Sequence, residues 1–205
     1  LLFLIEDQII TFDELIVKKI TTDKFIKRKY PQYFSPEIQK FIDTDWFKKN
    51  HEKESWYDEL KEKLPEDFNE KRKIGENDNF LCQIIRKDMI EDFIIYVNKN
   101  TYPLKSEICS SIYETNTFLT KAETTNLIEY ATFYGSIQIF NYLKTYKVDL
   151  TPTLWNYAIH SNSAEIIHIL EENRVPPNES YKQLLKESIK CHHNDIAVYI
   201  QNNYF

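Results

Sequence analysis

One spacing pattern recurs three times in the second half of the chain and constrains its fold more than any other feature. The segments 127–131, 154–158 and 184–188 each begin with leucine and reach alanine or serine four positions later. Residues at this spacing share one face of a helix. A small residue on that face lets a second helix approach closely, so the pattern predicts packed helix pairs.

Each segment is followed, in register, by a turn and a second helix. The turn position holds Gly135, Asn162 or His192, which are residue types that tolerate a left-handed backbone. Four residues beyond the turn, every second helix carries isoleucine: Ile139, Ile166 and Ile196. The leucines that open the units are 27 (154 minus 127) and 30 (184 minus 154) residues apart.

A weaker copy of the unit lies upstream. It begins at Leu81, with Met89 in the turn position, and precedes the next unit by 46 residues (127 minus 81). This distance is too long for one repeat. The excess includes 106–118, which we interpret as an extra helix or an eroded unit.

Glycine is scarce in this chain, with only Gly75 and Gly135 present. Phosphate-binding loops and dinucleotide fingerprints need several glycines to bring the backbone close to a phosphate. The composition therefore excludes both of these motifs. Few alternating β-branched runs occur, and we predict an all-α fold.

The first 75 residues predict a helical region with a charged connector. Helices are expected at about 2–20, 22–30 and 36–49, with Thr22 and Ser35 as N-caps. The connector, 43–73, is rich in charge and contains two tryptophans. We expect it to dock rather than form a mobile linker. The predicted domains are 1–75 and 76–205.

Charge and cysteine content restrict the partners and the compartment. The net charge is −6, and the short basic stretch of Lys24, Lys27, Arg28 and Lys29 directly follows an acidic residue, which we interpret as solvated surface. We therefore expect no nucleic-acid partner. The apolar run at residues 1–5 is too short for a membrane span. Three widely spaced cysteines predict reduced thiols in a cytosolic or nuclear protein, and we expect a cytoplasmic location.

The segment 127–142 reads LIEYATFYGSIQIFNY, and with Val148-Asp149 and Thr151-Pro152 it resembles the ankyrin repeat. Together with 74–78, it also resembles a domain of unknown function that accompanies divergent ankyrin repeats in expanded protist families. The resemblance implies an N-terminal helical region followed by an α-solenoid of degenerate helix-turn-helix repeats. Since the family repeat is about 33 residues long, the shorter units imply that part of the β-hairpin finger is lost.

Such repeats expose a concave helical surface, and the predicted function is non-enzymatic protein–protein interaction. The alternative is a structural subunit of a permanent assembly, motivated by the connector. We expect a monomer or a component of a larger complex, with another protein as partner. The predicted contact residues are Phe133, Tyr134, His160, Ser161 and Lys190, whereas Tyr130 and Tyr157 are predicted core residues.

Catalytic and metal-binding candidates find structural explanations in the repeat. The cluster Cys191, His192, His193 and Asp195 is the one that most suggests a metal site, but His192 and His193 fall in turn slots. His160 and His168 lack the spacing of zinc ligands on one helix. We therefore predict no metal, no cofactor and no catalytic residue.

Overall fold

The computed structural model describes residues 1–23, 26–27, 30–122 and 124–205. These residues form fifteen α-helices, one 3-10 helix and no strand, and a single isolated antiparallel bridge joins Glu107 to Asn126. The predicted all-α fold class is confirmed.

The chain divides into two compact units. The first unit comprises 1–76 and 111–115, and the second comprises 77–110 and 116–205. Helices of the first unit are α1 (Leu2–Glu6), α2 (Glu14–Thr22), α3 (Tyr30–Tyr33), α4 (Ser35–Ile38), α5 (Asp45–His51), the 3-10 helix (Glu59–Lys61) and α6 (Phe68–Ile74). Helices of the second unit are α7 (Phe80–Arg86), α8 (Ile90–Lys99), α9 (Thr117–Lys121), α10 (Leu127–Phe133), α11 (Ile137–Thr145), α12 (Leu154–His160), α13 (Ala164–Glu172), α14 (Tyr181–Lys190) and α15 (Asn194–Tyr204).

The charged connector is part of the core of the first unit, as expected for a docked segment. Phe47, Trp56, Tyr57 and Leu60 are buried with residues of the preceding helices. The aromatic rings fill this core, while the charged residues between them remain at the surface. The connector is therefore not a mobile linker.

A buried ion pair fixes α6 within the first unit. The Arg72 guanidinium donates to both carboxylate oxygens of Glu37, at 2.7 and 3.0 Å. Arg72 also donates to the Tyr33 carbonyl, and the Tyr33 hydroxyl donates to the carbonyl of Arg72. Two-point pairing of this kind compensates for removing both charges from water.

The helices predicted in the first unit are partly wrong. The stretch 2–20 contains two helices, α1 and α2, and 36–49 is broken between α4 and α5. Thr22 ends α2 and Ser35 begins α4, so neither is an N-cap; Asp13 and Thr44 cap α2 and α5 instead. The predicted helix 22–30 includes Lys24, Phe25, Arg28 and Lys29, which lie outside the described residues.

The second unit contains four helix pairs that reverse at a left-handed residue. The turn residues Gly135, Asn162 and His192 have φ of 66°, 56° and 60°. After each one, the next amide donates to a carbonyl five residues back, on Ala131, Ala158 or Ser188. This is the hydrogen bond of a Schellman motif, which satisfies carbonyls at a helix end. The predicted turn slot is confirmed.

The second helix of a pair ends in the same geometry. Thr101, Lys147 and Arg174 have φ of 49°, 60° and 54°, and the amide after each donates to a carbonyl five residues back. The two left-handed residues are 12 positions apart in the pair α10/α11 (147 minus 135) and in the pair α12/α13 (174 minus 162). The sequence repeat thus corresponds to a repeated backbone conformation.

The first pair, α7/α8, departs from this register by one residue. Its left-handed turn residue is Asp88 and not Met89, and 13 positions (101 minus 88) separate it from Thr101. The extra residue lies in α8. The predicted repeat register of the upstream copy is therefore correct at the end of its second helix and wrong by one residue at its turn.

One extra helix, α9, overlaps the stretch 106–118 at its last two residues only, and the stretch contains no eroded helix pair. Helix α9 begins only at Thr117, and the residues before it are irregular apart from the bridge at Glu107. Ser111 to Thr115 belong to the first unit, where the Tyr113 ring contacts Phe68 at 5.5 Å. Here apolar residues at helical spacing mark a buried irregular segment.

Within the second unit, the first helices of the pairs contact each other in chain order: α7, α10, α12 and α14. The small residues Ala131, Ala158 and Ser188 are fully buried in this layer. Adjacent pairs are also hydrogen bonded. The Asp88 carboxylate accepts the first amides of α11, and Thr153 donates to Glu129 at 2.8 Å.

We predict that Asn162→Val lowers the free energy of unfolding of the second unit by about 1–2 kcal/mol, because a side chain branched at Cβ is strained at positive φ. Asn162→Gly is expected to change the free energy of unfolding by no more than a few tenths of a kcal/mol, since glycine adopts this backbone freely. The measurement is urea denaturation followed by circular dichroism. Asn173→Val, at an ordinary φ of −85°, is the matched control, and an equal loss in both valine variants would contradict the prediction.

The buried side chain of His51 is expected to make the stability of the first unit depend on pH. It is 3% exposed among aromatic rings, and neither ring nitrogen has a hydrogen-bond partner within the described part of the chain. Burial lowers its pKa, with Glu54 opposing and Lys27 reinforcing the shift. The folded state then binds fewer protons than the unfolded state, so stability falls as pH drops below about 6.5.

His51→Phe should therefore flatten the decline in stability below pH 6.5 and raise the free energy of unfolding at neutral pH by about 1 kcal/mol, because an unsatisfied polar group is removed. Urea midpoints measured from pH 7.5 to 5 test this. His168→Phe, at a largely exposed position, serves as the control. An unchanged pH profile in His51→Phe would refute the assignment.

Candidate functional site

The predicted contact residues occupy two equivalent slots where the first helices end. Phe133, His160 and Lys190 are the last residues of α10, α12 and α14. Tyr134 and Ser161 are the C-caps that follow, and Cys191 holds the same position after α14. Because these helices lie side by side, their ends form one continuous row, which we call the end face.

The residues of the end face differ in exposure. Lys190 is exposed, and Tyr134, His160 and Ser161 are half-buried, whereas Phe133 is only 9% exposed. Tyr130 and Tyr157 are buried, which confirms their prediction as core residues. Phe133 offers little surface to a partner, and its ring packs against the rings of Tyr134 and His160.

Tyr134 is held by the residues around it. Its ring lies 4.8 Å from the Tyr130 ring and 5.0 Å from the Phe133 ring, and the Arg86 guanidinium lies 5.9 Å from its centroid. Arg86 is itself fixed by donation to the Asn77 carbonyl at 2.7 Å. A half-buried aromatic ring with its neighbours in place loses little conformational freedom when it binds.

Phe118 belongs to this site, although the sequence did not indicate it. Helix α9 brings its ring to 3.9 Å from the His160 ring, and the ring stacks on Phe133 at 5.7 Å. The imidazole of His160 is therefore covered on one side by an apolar ring. Since Phe118 precedes the first clear repeat and has no equivalent in the other pairs, the repeat alignment could not place it.

The end face also gathers three different polar side chains. His160 Nε2 lies 3.3 Å from a Glu187 carboxylate oxygen, and Cys191 Sγ lies 3.6 Å from Nδ1 and 4.0 Å from Nε2 of the same imidazole. One donor atom from each residue lies within 4.8 Å of the others, and all three residues are half-buried. The cluster joins α12 to the end of α14.

The protonation of this cluster follows from its surroundings. Burial lowers the pKa of His160, against the opposing effect of Glu187. The hydrogen bond from Lys190, at 2.6 Å, lowers the pKa of Glu187. Burial raises the pKa of the Cys191 thiol. At neutral pH the set is a neutral imidazole, an ionised carboxylate and a protonated thiol.

Cys191, His192, His193 and Asp195 do not converge as their proximity in sequence suggests. His192 is the exposed left-handed turn residue, and Asp195 is exposed in the first turn of α15. His193 Nε2 lies 3.3 Å from the carbonyl of His160. Their interpretation as turn residues is confirmed for His192, while Cys191 pairs instead with residues distant in sequence.

Among the described residues, no helix combines the length and the apolar composition that a membrane crossing requires. No family model matches the chain, and no curated protein or solved structure matches it either.

Proposed function

We propose that the second unit is a non-enzymatic protein-binding module that contacts its partner through the end face. The proposal includes the ankyrin-like solenoid and the cytoplasmic location expected from the sequence. The single observation that carries it is the contrast between the two sides of the first helices: their buried slots repeat, whereas the slots of the end face vary.

The buried slots are uniform because packing constrains them. Four positions after the repeated leucines of the first helices lie Ala131, Ala158 and Ser188, all fully buried. The end-face slots instead hold Tyr134, Ser161 and Cys191 at one position, with different sizes and chemistry. Packing constrains these half-buried positions less, and repeat proteins use the surface that their stacked helices leave exposed to bind partners.

The chemistry of the end face favours binding over catalysis. A Cys191 nucleophile would need to be a thiolate at neutral pH, and burial raises the pKa of this thiol. Tyr134 has the properties of an interface anchor, since aromatic rings bury a large area when a partner covers them. The three cysteines form no disulfide within the described residues, which fits the reducing compartment that we propose.

The alternative, a subunit of a permanent assembly, rested on the tryptophans of the connector. Trp56 is buried in the first unit, and Trp46 packs against the same core. These side chains stabilise the unit itself. The feature that suggested a permanent interface therefore no longer favours one.

Site-specific photo-crosslinking tests the proposal. A benzophenone side chain at position 134, 161 or 190 should give the same crosslinked protein in an extract of the native cells, because these positions share the end face. Positions 146 and 198 are controls, since Tyr146 is exposed directly after the second helix α11 and Val198 is exposed on the second helix α15. A partner crosslinked equally at the control positions, or none at the three test positions, would contradict it.

With the crosslinked protein purified, Tyr134→Ala should weaken its binding at least tenfold, about 1.4 kcal/mol, because the anchor ring is lost. Tyr146→Ala is the matched control and should change the affinity less than twofold. Isothermal titration calorimetry measures both variants, and circular dichroism confirms that they fold. Equal affinities for Tyr134→Ala and wild type would remove Tyr134 from the interface.

A further inference from the structure

We propose that His160, Glu187 and Cys191 form a binding site for one divalent metal ion of the zinc type. Its ligands are Nε2 of His160, one carboxylate oxygen of Glu187 and the thiolate of Cys191. This assignment replaces the sequence-based expectation of no metal, which considered Cys191 only with its neighbours in sequence. It does not depend on the protein-binding function.

The three donors match the coordination chemistry of zinc. Imidazole nitrogen, carboxylate oxygen and thiolate sulfur are the protein ligands that zinc takes. A thiolate and an imidazole together disfavour magnesium and calcium, which prefer oxygen donors. Ordinary surface ion pairs do not contain this mixture.

The separations of the donor atoms suit a tetrahedral ion. With bonds of about 2.0–2.3 Å to zinc, neighbouring donors in a tetrahedron lie about 3.3–3.7 Å apart. His160 Nε2 lies 3.3 Å from the Glu187 oxygen and 4.0 Å from Cys191 Sγ. The first separation falls in this range and the second exceeds it by a few tenths of an ångström, while all three donor atoms lie within 4.8 Å of one another.

Neighbouring groups orient two of the ligands. Lys190 binds Oε2 of Glu187 at 2.6 Å, which leaves Oε1, the oxygen facing His160, available to a metal. Phe118 covers the His160 ring at 3.9 Å and limits its rotation. Fixed outer groups of this kind raise metal affinity because less order is lost on binding.

Metal binding changes the protonation of one ligand only. The Cys191 thiol loses its proton to solvent when sulfur binds the ion, whereas Glu187 is already ionised and His160 already neutral. The products are a metal-thiolate bond and one released proton. Water occupies the fourth position, since the three protein ligands leave one side open.

The packing of α12 on α14 brings the three ligands together, although His160 is distant from the other two in sequence. Glu187 and Cys191 are four residues apart at the end of α14, so they lie on one face. His160 lies 27 residues before Glu187 (187 minus 160) and reaches the cluster because α12 and α14 pack side by side. His160 joins Glu187 and Cys191 only through that packing, which the sequence alone does not show.

Cobalt titration of the metal-free full chain tests the site, because tetrahedral cobalt bound to a thiolate shows strong ligand-field and charge-transfer bands. We expect one equivalent to bind, with bands that zinc displaces. Cys191→Ser should abolish the charge-transfer band. His160→Gln and Glu187→Gln should weaken cobalt binding at least tenfold. Circular dichroism of each variant verifies that it folds.

Three matched controls make the outcome decisive. Cys109→Ser removes an exposed cysteine, and His168→Gln and His193→Gln remove histidines outside the assigned set; all three should bind cobalt as wild type does. The proposal is overturned if no charge-transfer band forms. It is equally overturned if the band survives in Cys191→Ser, or if His193→Gln weakens binding and His160→Gln does not.

Discussion

The left-handed residue between paired helices is the constraint on which the rest of the second unit depends. At Gly135, Asn162 and His192 the chain reverses at one fixed distance after the repeated leucine of the first helix, and the following amide closes the helix end. Because every first helix stops at the same point, small residues such as Ala131 face each other and the helices pack side by side. This repeated reversal therefore determines where the first helices end and which residues lie on the end face.

The helix pairs could be predicted from sequence because their constraints are local. Three kinds of residue recur at fixed spacing: a leucine, a small residue, and a turn residue that tolerates positive φ. Each depends only on the conformation of a few neighbouring residues. Local patterns failed where tertiary contacts decided the conformation. The one-residue insertion in α8 has no marker in composition, and Tyr113 is buried in an irregular segment because it contacts Phe68, which is distant from it in sequence.

The candidate site was predictable in part for the same reason. Tyr134, His160, Ser161 and Lys190 follow from the repeat register, which locates helix ends. The meeting of His160 with Glu187 and Cys191 requires the packing of one helix pair on the next, and the cover provided by Phe118 requires a helix outside the repeat. Phe133 shares a slot with His160 and Lys190 yet is buried, because the rings of Phe118, Tyr134 and His160 pack around it.

The central claim is that neighbouring helix pairs pack in a fixed register that brings distant residues together without any ligand. The most direct measurement is the nuclear Overhauser effect between the ring protons of His160 and the β-protons of Cys191 in the metal-free chain. The account predicts this contact, together with one between the rings of His160 and Phe118. Well-resolved signals for all three residues with neither contact present would contradict it.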